Sequence, residues 1–114
     1  MTPFSITIPL RLDSMLNLRL HHMSKHRKVK AQREAAIVVP CGTPVPCTVL
    51  LTRIGPRELD GDNLQGAFKA LRDGIASRLG VDDRDPRVSW LYHQERGQPK
   101  EYAVRITITG RPTA

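Results

Sequence analysis

At 114 residues the chain is sized for one domain spanning 1–114, with a single modest core and little room for a second. Its 39% apolar and 25% charged residues describe a globular protein and exclude a disordered tail; no apolar run approaches the roughly 20 residues of a membrane span. A net charge of +7 favours an anionic partner.

Phe4-Ser-Ile6-Thr-Ile8-Pro-Leu10 alternates apolar and small polar residues, the period of a half-buried strand, and Pro9 places its end at a sheet edge or exit. No basic region followed by an apolar stretch and cleavage site opens the chain, so a cytoplasmic location is expected. Residues 15–39 hold no Gly or Pro, and a helix is predicted over 20–38, ended by Pro40 and the Gly42/Pro44/Pro46 cluster. Cys41 and Cys47 flank Gly-Thr-Pro-Val-Pro and are expected as free thiols, since two Cys without a nearby His or third Cys make a poor zinc site. The β-formers of 47–54 predict a well-buried strand closed by Gly55-Pro56.

A second helix is predicted over 62–79, where Leu64, Ala67, Phe68, Leu71, Ile75 and Leu79 recur at three- and four-residue steps before Gly80. Gly66 and Gly74 weaken that helix by ~1 kcal/mol each relative to Ala, so something is expected to approach closely there. Val88–Gln94 and Tyr102–Thr109 both alternate, and Arg96-Gly-Gln-Pro-Lys100 between them suggests a β-hairpin. The expected architecture is α+β: a single mixed β-sheet with helices packed on it, in the order β-α-β-α-β-β.

Seven of the eleven acidic residues lie in 58–85 of this basic chain. At about 100° per residue, Asp62, Lys69 and Asp73 fall at ~160°, ~140° and ~180° from Leu64, on one polar face with Gly66 leaving space between. Asp60 lies two residues upstream. Two carboxylates at i and i+2 before a helix can converge on one hard cation, since Mg²⁺ takes one or two carboxylates with waters and substrate phosphate. A nearby lysine can offset charge on that phosphate. The structural alternative makes Asp62 or Asn63 an N-cap, Asp60-Gly61 a turn, and Lys69 with Asp73 an ordinary i,i+4 pair. An EF-hand fails, because Leu64 stands where a third oxygen ligand is required. Asp82-Asp83-Arg84-Asp85 precedes a strand that can return one Asp beside Asp60 and Asp62; the alternative is a polar turn.

The block Asp60-x-Asp62-Asn63-Leu64, a helix carrying Lys and Asp four apart, then Gly80-Val81 and clustered Asp before a strand, resembles the RusA family of Holliday junction resolvases. The flanks agree: an N-terminal Ser-Ile-Thr-Ile-Pro strand, an early Asn17-Leu-Arg19, and a C-terminal hairpin. The resemblance implies a homodimeric endodeoxyribonuclease, often encoded by phage or prophage. It would depend on Mg²⁺ (or Mn²⁺) and nick paired strands at a four-way junction in DNA recombination and repair. It also implies Asp60, Asp62 and a later Asp, either Asp83 or Asp85, as metal ligands, and Lys69 as the catalytic lysine. The chain departs from the family at Gly61, where an aliphatic is usual. Gly66 stands at the family's lysine position, with Lys69 one turn later and the Lys-to-Asp spacing of four kept.

Arg19, Lys25, Arg27, Lys28, Lys30 and Arg33 occupy a segment without an acid until Glu34, accompanied by His21, His22 and His26. These six cations are the candidate DNA contacts, each neutralised phosphate releasing a counterion. No base-reading motif is visible, which fits recognition of branched DNA by shape and backbone. A solvated basic face is the alternative. Trp90 and Tyr92 share a strand face and suit the core better than base stacking. Two further functional readings stand beside the nuclease: a DNA-binding protein that keeps the fold without catalysis, and a Mg²⁺-dependent phosphohydrolase on small nucleotides, for which the long basic segment is superfluous.

Overall fold

The structure, a computed structural model, describes residues 3–12 and 22–110, and for residues 22–26 the backbone alone. β1 (Phe4–Ile8) turns Phe4, Ile6 and Ile8 to one side and Ser5 and Thr7 to the other, as the period-two pattern requires. It pairs antiparallel with β4 (Ala103–Gly110), Ile6 opposite Ile106. β2 (Cys47–Gly55) lies inside the sheet, antiparallel to β4 and parallel to β3 (Val88–Arg96), so that Leu51 stands between Ile106 and Tyr92. The strand order is β1-β4-β2-β3, a mixed four-stranded sheet.

Helices cover one face. Val49, Leu51, Val104, Ile106 and Ile108 form one buried cluster with the helical residues Leu64, Ala67, Phe68, Leu71, Ile75 and Leu79. Those six are the residues that recur at helical spacing. The opposite face carries Ser5, Thr7, Leu50, Leu91, Thr107 and an Arg105–Glu95 ion pair at 2.7 Å. Cys41 is exposed, Cys47 buried, and both are free thiols as expected. Among the described residues no helix is long and apolar enough to cross a membrane.

α1 (His22–Ala35) continues into a 3-10 turn, Ala36–Val38, before Pro40; residues 20 and 21 of the expected helix lie outside the described residues. α1 packs on α3 (Lys69–Leu79) at Gly74, where an added Cβ would meet the Arg33 carbonyl oxygen at 2.6 Å and the Ala36 Cβ at 2.9 Å. The close approach expected at Gly74 is therefore present, whereas a Cβ at Gly66 would meet nothing within 4 Å.

Two expectations are corrected. The helix expected over 62–79 is two helices, α2 (Gly61–Ala67) and α3, divided at Phe68 (φ −88, ψ −5), so the chain order is β-α-β-α-α-β-β. Gly66 lowers helix propensity at the division, and Phe68 is wholly buried, its ring 5.8 Å from that of Tyr92. The two C-terminal strands are not a hairpin: β2 lies between β3 and β4. The helical crossover after β2 returns β3 parallel beside it, and the connection 97–102 then steps over the end of β2, where the Gly97 N–H donates to the Gly55 carbonyl at 2.8 Å. Strands two places apart are separated by only about 10 Å, which a six-residue connection spans.

Candidate metal and nucleic-acid site

Leaving β2, the chain is held at Leu59 by the Gln94 side chain of β3. The Leu59 N–H donates to Oε1 at 3.0 Å, and Nε2 donates to the Leu59 carbonyl at 2.6 Å. Asp60 follows in extended conformation (φ −70, ψ 165) as the N-cap of α2, its carbonyl accepting from the Leu64 N–H at 2.8 Å. Its carboxylate makes no capping bond. Asp62 sits in the first turn of α2, and both side chains are exposed. No hydrogen bond or ion pair with a described residue engages either carboxylate. The structural alternative for this motif thus loses ground: the cap falls at Asp60 instead of Asp62 or Asn63, and it is made by backbone geometry alone.

Lys69 opens α3 directly after the division and is exposed. No ion pair joins it to Asp73, although the two stand four residues apart. Because Lys69 and Asp62 belong to different helices, one helical wheel does not relate them.

The two later candidates differ sharply. Asp85 is clasped by Arg87, whose Nη2 lies 2.7 Å from Oδ2 and whose Nε lies 3.0 Å from Oδ1; the Arg87 backbone N–H also donates to Oδ1 at 2.9 Å. These side-chain bonds first, and the backbone bond second, hold its pKa down at about 2. The Asp83 carboxylate stands 3.9 Å from the Arg72 Nε and is more exposed. Asp82 is turned into the loop, its carboxyl held below the ordinary range first by the Arg84 backbone N–H (2.9 Å) and then by the Asp83 side chain.

Arg72 was not among the sequence candidates, yet it organises this end of α3. Its Nη1 donates to the Tyr92 hydroxyl at 2.6 Å and its Nη2 to the Asp83 carbonyl at 2.7 Å, with the guanidinium 4.7 Å above the Trp90 ring. A turn that is otherwise polar is thereby fixed to helix and strand at Asp83. The available signal was its wheel position at ~80° from Leu64, on the edge of the apolar stripe. Trp90 and Tyr92 pack against the core, as the core reading expected.

On α1, Arg27, Lys30 and Arg33 are exposed and Lys28 is half-buried; Lys30 lies 4.0 Å from Glu34. Arg19 and His21 lie outside the described residues, as do the side chains of His22, Lys25 and His26. Among the described residues, no three of His, Cys, Asp or Glu are gathered closely enough to hold a metal ion. No protein-family model matches the chain, and no curated protein matches it.

Proposed function

We propose that this protein is a RusA-like, Mg²⁺-dependent endodeoxyribonuclease that resolves four-way DNA junctions by phosphodiester hydrolysis. The observation carrying this reading is the pair Asp60 and Asp62: exposed, two residues apart at the start of α2, and engaged by no described partner. Carboxylates left idle in a chain of net charge +7 suit a hard divalent ion that shares its coordination with water and phosphate. Asp60 and Asp62 would hold that ion together with water and phosphate, and of the two later candidates Asp83 is the less engaged, since Arg87 occupies Asp85. When bound, the ion supplies a polarised phosphoryl oxygen and an activated water. Gln94 fixes the backbone before Asp60, and Arg72 fixes the backbone at Asp83. Lys69, exposed at the head of α3, would offset charge on the phosphate. The cations of α1 contribute sequence-independent attraction to the backbone. A four-way junction has two equivalent strands to cut, which favours a two-fold homodimer.

A second reading, a DNA-binding protein of this fold without catalysis, is favoured by the lack of a three-acid group among the described residues. Replacing Asp60 or Asp62 by Asn separates the two. Under the nuclease reading each variant loses Mg²⁺-dependent nicking of a synthetic four-way junction by at least about a hundredfold while its junction affinity is kept. Nicking that survives both substitutions removes the metal pair from the account.

A further inference from the structure

The end of the sheet next to Asp60 is built from three separate segments. Because β1 and β2 both run antiparallel to β4, the exit of β1, the exit of β2 and the entry to β4 meet at one edge, with Ile8 and Arg53 both paired to Val104. These segments enclose a cleft of about 540 Å³ whose lining includes Arg11, Arg53, Arg57 and Lys100, together with Tyr102, and, among the described residues, no acidic one. The charges come from segments far apart in sequence, so no run of basic residues marks them.

Each cation is placed by a different device. Arg53 is 4% exposed on the helix-covered side of β2, donating from Nε to the Leu12 carbonyl at 2.9 Å and from Nη1 to the Arg57 carbonyl at 2.6 Å. Arg11 lies flat on the Tyr102 ring, 4.2 Å from its centre, which stiffens a side chain otherwise rich in rotamers. Lys100 adopts φ +64, a left-handed conformation unfavourable for a residue with a Cβ. Glu101, its neighbour, turns its carboxylate to the Gln98 N–H at 2.9 Å. Leu59, one residue before Asp60, completes the wall and joins the cleft to the carboxylate pair.

We propose that this cleft is a phosphate-binding site that seats a backbone phosphate of the nucleic acid beside the one being cut. Arg57 and Lys100, whose side chains no described residue engages, offer charge beside the apolar surface of Tyr102, Pro56 and Pro99, the combination a sugar-phosphate segment presents in reverse. The site deepens the nuclease reading, on which the identity of its ligand rests: the carboxylates hold the reacting phosphate, and the cleft fixes the strand one step along.

Two titrations of the full chain test this. In metal-free buffer, inorganic pyrophosphate is expected to shift the NMR signals of Lys100 and Tyr102 saturably. The double variant R57Q/K100N should lose that response. Asn tolerates the left-handed conformation at position 100, and no described residue engages either replaced side chain, so the fold is kept. The same variant should bind a four-way junction about tenfold more weakly, with the slope of log K against log salt lower by one to two. Absence of a pyrophosphate response at these residues, or unchanged junction affinity and salt slope in the variant, overturns the cleft while leaving the nuclease reading untouched. Pyrophosphate binding in a wild-type protein that neither binds nor cuts junctions does the reverse: the phosphate site stands and the nuclease reading falls.

Discussion

The Asp85 carboxylate, clasped by the Arg87 side chain and backbone N–H, has its pKa lowered from 3.8 to about 2. The folded protein therefore takes up this proton less readily than the unfolded chain. The stabilisation is complete above about pH 4 and is lost as pH falls through 2. Urea midpoints of wild type and R87Q should accordingly differ at pH 6 and converge between pH 4 and pH 2; a gap that stays constant over that range contradicts the assignment. Spacing alone left Asp83 and Asp85 indistinguishable, because nothing in the order Asp83-Arg84-Asp85-Pro86-Arg87 says which arginine turns back on which carboxylate. Arg53 was equally illegible: its position in a run of β-formers shows burial, but not that the carbonyls of Leu12 and Arg57 take its protons. The position of Asp60 and Asp62 at the head of α2 was legible, because it needs only the helix start to be read from the apolar period.

At the scale of elements, the apolar period found both halves of the helical region and the six residues it buries, but passed over the division at Phe68. Periodicity reports which face is buried and is blind to an interruption that keeps that face inward. The two glycines in this region have different reasons to be there. At Gly74 a methyl group would strike the Arg33 backbone and Ala36, whereas at Gly66 it would meet open space. Gly74→Ala should cost ~1–3 kcal/mol by forcing α1 away from α3, while Gly66→Ala should leave stability unchanged or raise it by up to ~1 kcal/mol. Thermal unfolding of the two variants checks this; a Gly74→Ala protein as stable as wild type would mean that the helices are not in contact there. The strand order was the larger omission. Alternation identifies a strand and its faces, and says nothing about its neighbour; the βαβ crossover puts β3 beside β2, against the short-range cue of a turn-like connection.

At the scale of the whole molecule, among the described residues, positive charge gathers along the exposed face of α1 and in the cleft where β1, β2 and β4 meet, while Asp60 and Asp62, engaged by no described partner, follow directly on the Leu59 wall of that cleft. Only the first was visible as a run of basic residues. The second needs the sheet to be assembled before its charges come together. The proposal is that these unused carboxylates hold a divalent ion against a phosphodiester seated beside the cationic cleft. Its most direct test is cleavage of a synthetic four-way junction beside a linear duplex of the same sequence, in Mg²⁺ and in Mn²⁺. The account predicts paired nicks in the junction and little or no cutting of the duplex. A protein that binds the junction but nicks it in neither metal, or that cuts the duplex equally well, contradicts it.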